Sequence, residues 1–140
     1  MSRTAVVTGG SRGIGKAIAL KLAKEGYDIA LNYASNDEAA KAAGEEISAL
    51  GVRCEIYKAD TSDIAQVKDM FKAIKKSFET IDVLVNNAGV VDDAYLLMIR
   101  PDSLQRSLAI NIQGYINYAW FKCLILSTDG GRDLGTSWSL

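Results

Sequence analysis

Short β-rich runs alternate with helix-period stripes along the first two thirds of this chain, and glycines mark the changes between them. Residues 4–8 (Thr-Ala-Val-Val-Thr) read as a strand that ends in a glycine cluster. Ile14, Ala17, Ile18 and Leu22 then recur at helical spacing and stop at Gly26, a natural closing residue for a helix. The cycle repeats with a strand at 29–33 and a helical face of Ala40, Ala43, Ile47 and Leu50 that ends before Gly51. A third strand at 54–59 precedes a helix capped by Thr61 or Ser62 and carrying Ile64, Val67, Phe71, Ile74 and Phe78. Residues 81–85 are almost wholly apolar, the pattern of a strand covered on both faces. Strand–helix alternation at this spacing demands crossover units. The expected fold is α/β, a three-layer βαβ repeat around a parallel sheet.

After a loop at 89–100, Pro101 and Asp102 open a further helix, expected over 102–124. Its apolar positions form one stripe of Leu104, Leu108, Ile112, Tyr115 and Ala119 and a second of Ile116, Trp120 and Leu124. Two stripes predict burial on two sides, against the sheet and against something else, with a partner subunit one candidate. From Cys123 the character changes, and 127–140 is rich in Ser, Thr, Gly and Asp without a period, as in a tail or irregular loop. The expected division is therefore 1–122 and an atypical tail, 123–140.

Composition narrows the function. A chain of 140 residues makes one compact domain. A net charge of −1 with scattered cations gives no nucleic-acid footprint. No apolar run reaches the length of a membrane span and no signal-peptide core opens the chain. Cys54 and Cys123 lie far apart and read as buried small hydrophobes of a cytoplasmic protein rather than a disulfide or a zinc site. The chain contains no histidine. Ser-His-Asp and Cys-His catalysis and His-ligated metals are thereby removed, leaving Tyr, Lys and carboxylates for acid–base work.

The glycines at 9, 10, 13 and 15 sit at a strand-to-helix junction. Glycine there permits a tight turn and a close approach to a pyrophosphate, while the helix start adds free N–H groups and roughly half a positive charge. Gly10 through Lys16 nearly spells a nucleotide-triphosphate P-loop, but Ala17 stands where Ser or Thr should hold magnesium. The fourth strand likewise ends in Asn86-Asn87, without a carboxylate for the metal. The GxGxxG dinucleotide spacing is not met either.

Thr8-Gly9-Gly10-Ser11-Arg12-Gly13-Ile14-Gly15 resembles the TGxxxGxG fingerprint of the short-chain dehydrogenase/reductase family. Asp60-Thr61 resembles that family's adenine-contacting position, and Asn86-Asn87-Ala88-Gly89 its NNAG motif. Asn111 matches the asparagine of its catalytic tetrad, and Leu96-Leu97-Met98 is similar to its bacterial 3-oxoacyl-[acyl-carrier-protein] reductase subgroup. These matches cover about residues 1–122. The resemblance implies a Rossmann-type fold, truncated here after the fourth strand and following helix. It implies a nicotinamide dinucleotide held by Gly9, Ser11, Arg12, Gly13, Ile14, Gly15, Ser35, Asp60, Thr61, Asn87, Ala88 and Gly89. The end of the second strand carries no acid to accept from a ribose 2′-OH, whereas Arg12 and Ser35 suit a 2′-phosphate. NADP(H) is the expected cofactor.

The same resemblance calls for a Tyr acting on the substrate oxygen, with a Lys four residues on to lower its pKa. Tyr118 and Lys122 have that spacing but follow Asn111 on the same predicted helix, too early in the chain. They read as ordinary neighbours one turn apart, Tyr packed and Lys reaching solvent. Ser139 lies near the family's serine but has no strand before it. Asn111 is then the one tetrad member present, and this chain alone is expected to be inactive. The expectation is a truncated product whose residues 123–140 are a non-native tail. The full-length parent would act on a small carbonyl or acyl thioester. An unpaired fourth strand and the two-striped helix predict a homo-oligomer.

Overall fold

The computed structural model describes residues 2–90 and 98–128, with 122–128 as backbone alone. Strands β1 (Arg3–Val7), β2 (Tyr27–Tyr33), β3 (Cys54–Lys58) and β4 (Val83–Val85) form one parallel sheet in the order β3-β2-β1-β4. The chain steps outward from β1 to β3, then crosses back to place β4 on the other side of β1. A sheet that reverses its strand order in this way leaves a crevice beyond the carboxyl ends of its central strands.

Alternation along β1 separates two buried clusters. Ala5 and Val7 face Ala19 and Ala23 of α1 (Gly13–Lys24) and Ala43 and Ile47 of α2 (Asp37–Ser48). Val6 points the other way, toward Val67, Phe71 and Ile74 of α3 (Ile64–Ser77) and toward Tyr118 and Phe121. The chain is a three-layer α/β Rossmann fold, as the alternation predicts.

Several local expectations shift. Along α1 the buried residues are Gly15, Ala19 and Ala23, while Ile14 is 74% exposed and Ala17 is exposed. Small side chains let this helix lie close on the sheet, and the larger residues flank the contact. Asp63, rather than Thr61 or Ser62, caps α3: its Oδ1 accepts from the N–H groups of Ala65 (2.9 Å) and Gln66 (3.2 Å). Ser62 instead donates to Asp60 Oδ1 at 2.6 Å. Ile64 and Leu50, both expected on buried faces, are exposed.

The last helical run is α4 (Pro101–Leu108), a π-helical turn (Ala109–Gln113) and α5 (Gly114–Thr128). Neither expected stripe marks the buried side among the described side chains, which do not include that of Leu124. Leu104, Leu108, Ile112, Ile116 and Trp120 are all exposed, as is Ala119, whereas Gly114, Asn117, Tyr118 and Phe121 are buried. The Tyr118 ring meets Phe71 edge-on at 5.4 Å, and Phe121 stacks on Phe71 at 5.9 Å. Helix α5 continues past 122, and the remaining tail, 129–140, lies outside the described residues. Among the described residues, β4 has no partner strand on its outer side, and its three residues are half-buried.

Tyr118 is expected to act as core alone. Tyr118→Phe should cost under about 1.5 kcal/mol, whereas Tyr118→Ala should cost about 3–5 kcal/mol by urea denaturation.

Candidate functional site

The site begins where β1 stops. The Thr8 N–H donates to the Val85 carbonyl (3.0 Å), tying the ends of β1 and β4 together. Its buried hydroxyl accepts from the N–H groups of Asn87 and Ala88, each at 2.9 Å, and donates to Val85 O at 3.3 Å. Asn87 returns the contact: its Nδ2 donates to the carbonyls of Thr8 and Gly9, each at 3.1 Å. On the other flank, buried Asn32 accepts from Gly9 N at 3.4 Å and donates to Tyr57 O (3.3 Å) and Ala59 O (3.1 Å). The glycine loop is thus clamped between the ends of all four strands.

Glycine is required within that clamp for two different reasons. Gly9 and Gly13 have φ of +62° and +57°, where a side chain is strained. A Cβ on Gly15 would lie 2.3 Å from Gly9 O and 2.5 Å from Asn87 Nδ2. The loop is therefore compact backbone, and a cleft of about 620 Å³ opens above it.

Gly9, Ser11, Arg12, Gly13, Ile14, Ser35, Asp60, Thr61, Asn87, Ala88 and Gly89, taken from separate stretches of sequence, all line this cleft. Gly15 is buried beneath the loop instead of lining it. Arg12 sits at the start of α1 with its side chain exposed and outside any ion pair among the described residues. Asp60 Oδ1 accepts from Ser62, and Thr61 O accepts from Asn117 Nδ2 at 3.3 Å, so α5 braces this rim from beneath.

Asn111 lies in the π-helical turn and does not line the cleft. Its Oδ1 accepts from Val90 N and its Nδ2 donates to Val90 O, each at 2.9 Å, with a further bond to Ser107 Oγ at 3.3 Å. The amide pins the chain just after Gly89. Tyr118 is fully buried, donates to Met70 Sδ at 3.4 Å, and has its phenol pKa raised by that burial. The Lys122 side chain, Leu96, Leu97 and Ser139 fall outside the described residues, while Met98 is exposed.

Sequence reasoning quoted Thr8 only as the opening letter of the fingerprint, without a role, and did not single out Asn32 or Asn117. Asn32 carried a readable signal, a polar residue inside an apolar strand, which a fold must satisfy when it is buried. Arg106 and Ile110 also reach the cleft, one turn apart on the run that contains Asn111.

Gly15→Ala should therefore be more damaging than Gly13→Ala, which meets no atom within 4 Å and only pays for its φ. Thermal unfolding should place the Gly13 variant about 1–2 kcal/mol below the parent and the Gly15 variant further down.

A family model described as short chain dehydrogenase matches residues 3–132. The chain is 44% identical over 117 residues to a Staphylococcus aureus 3-oxoacyl-[acyl-carrier-protein] reductase, covering 84% of this chain and 48% of that protein. It is 40% identical to an acetoacetyl-CoA reductase from Rhizobium meliloti, covering 84% of this chain and 46% of the relative. A solved short-chain dehydrogenase from Burkholderia cenocepacia, in complex with NADP, superposes with a TM-score of 0.84 at 36% identity. That match covers 87% of this chain and 50% of the solved one. The chain spans about half the length of the curated relatives it matches. On the family match, the sequence identities and the fold together, this chain belongs to the short-chain dehydrogenase family.

Proposed function

We propose that this chain is the dinucleotide-binding half of an NADP(H)-dependent oxidoreductase. Its full-length parent would reduce 3-oxoacyl thioesters or similar small carbonyls in the cytoplasm. The cleft over the glycine loop carries this reading, because it gathers eleven of the twelve residues expected to hold the cofactor. The cradle suits a pyrophosphate: the loop backbone is bare and the first turn of α1 offers free N–H groups. Arg12 and Ser35 would hold a 2′-phosphate, Asp60 and Thr61 the adenosine, and Asn87 to Gly89 the far wall. Bound nicotinamide supplies the hydride. The names of the Staphylococcus and Rhizobium relatives support an acyl thioester as the other reactant.

The described residues bring no Tyr–Lys pair to the cleft. Tyr33 lines it, but its hydroxyl donates to Asp37 at 2.9 Å, and burial is the main cause that raises its pKa. Binding without turnover is therefore the expected behaviour of this chain alone. Self-association is a further part of the reading. Among the described residues, the exposed stripe Leu104, Leu108, Ile112, Ile116 and Trp120 and the outer side of β4 both leave apolar or unpaired surface open to a second copy.

Fluorescence titration should show saturable binding that favours NADPH over NADH, and Arg12→Ala should weaken NADPH about tenfold or more. NADPH oxidation with acetoacetyl-CoA should stay at background for the chain alone. No binding of either nucleotide would overturn the assignment. A monomer by light scattering at micromolar concentration would remove the self-association.

A further inference from the structure

We propose that Lys58 sets the preference for a 2′-phosphorylated dinucleotide by neutralising Asp37 and holding its carboxylate out of the cleft. This rests on the reading of the cleft as an NADP(H) site. The cleft wall includes Tyr33, Ala34, Ser35 and Asn36 and stops there, so Asp37, the next residue, is absent from it. The sequence thus carries an acid one residue beyond the segment that should face the ribose. A free carboxylate at that rim would favour the wrong cofactor in two ways. It would repel a phosphate dianion, and it would offer the acceptor that a ribose 2′-OH requires.

The sheet register disposes of that carboxylate. Tyr33 and Lys58 are paired residues at the ends of β2 and β3, so both reach the start of α2 together. Asp37 Oδ1 accepts from Tyr33 Oη at 2.9 Å and from Lys58 Nζ at 3.1 Å, and Oδ2 lies 3.4 Å from Lys58 Nζ. The Lys58 contact and then the Tyr33 contact hold the Asp37 carboxyl below the usual carboxylate range. Its position at the first turn of α2 also favours the ionised form. Tyr33 is buried, which makes it a fixed anchor, while Lys58 and Asp37 are exposed and exchange with solvent. An exposed pair of this kind has a modest effect on stability, but it decides the sign of the charge beside the rim.

The test is a set of NADPH and NADH titrations of the 140-residue chain and its variants Lys58→Ala, Lys58→Gln, Asp37→Asn and Lys58→Ala/Asp37→Asn. Loss of the cation should lower the NADPH-to-NADH affinity ratio about three- to tenfold, with NADPH weakened and NADH unchanged or tightened. The double variant should return the ratio to the parent's value, and Asp37→Asn alone should hold or raise it. Lys58→Gln, which keeps the stem, should behave as Lys58→Ala, and thermal unfolding would show that each variant is folded. An unchanged ratio in Lys58→Ala, or equal loss of both nucleotides, overturns the proposal. A double variant as weak as Lys58→Ala also overturns it, since Lys58 would then act on the ligand directly. A parent chain without NADPH preference removes the cofactor reading itself. A preference that survives loss of Lys58 removes only this inference.

Discussion

A single buried hydroxyl holds the site of this chain together. The Thr8 side chain accepts two backbone N–H groups from the segment after β4 and donates to the last carbonyl of that strand. Parallel strands have no hairpin to fix their ends, so the divergence of β1 and β4 needs some other restraint. Thr8 and Asn87 provide it by exchanging contacts in both directions. Because the glycine loop starts at the next residue, its path depends on that exchange. Gly15 completes the arrangement, since its missing Cβ leaves the space that Gly9 O and Asn87 Nδ2 occupy.

The fold was legible from the alternation of strand and helix patterns because both periods were strong and the glycines fell at their borders. The places where the reading slipped share a cause. On α1, apolar size does not mark burial, because the sheet lies close and the helix packs through Gly15, Ala19 and Ala23. On the long final run, α4 buries none of its residues, and α5 packs through Asn117, Tyr118 and Phe121 rather than through Ile116 and Trp120. Periodicity reports which residues share a face only while the geometry stays regular.

The candidate site was legible to a similar depth. Residues that would touch a ligand stand out because their types are unusual for their positions: glycine in a tight turn, arginine at a helix start, asparagines after an apolar strand. Residues that hold those groups in place have ordinary types. Thr8, Asn32 and Asn117 act through partners far away in sequence, and only the folded chain shows those partners. Asn111 is instructive here. The family resemblance picks it out by position, and the fold uses its amide to pin Val90.

The two sides of the cleft are finished to different degrees. Toward β2 and β3 the wall is closed by paired strands, by Asn32 and by the brace from Asn117. Among the described residues, the outer edge of β4 has no partner strand and the buried Asn86 Oδ1 at its end has no hydrogen-bond donor. A buried amide oxygen without a donor is costly, which sets the Asn86 end of β4 apart from the bonded Thr8 and Asn87 beside it. The solved relative with bound NADP is about twice as long as the part this chain matches. Among the described residues, the satisfied hydrogen bonds of the cleft gather around Thr8 and on the β2–β3 side, and the unsatisfied group lies at the end of β4.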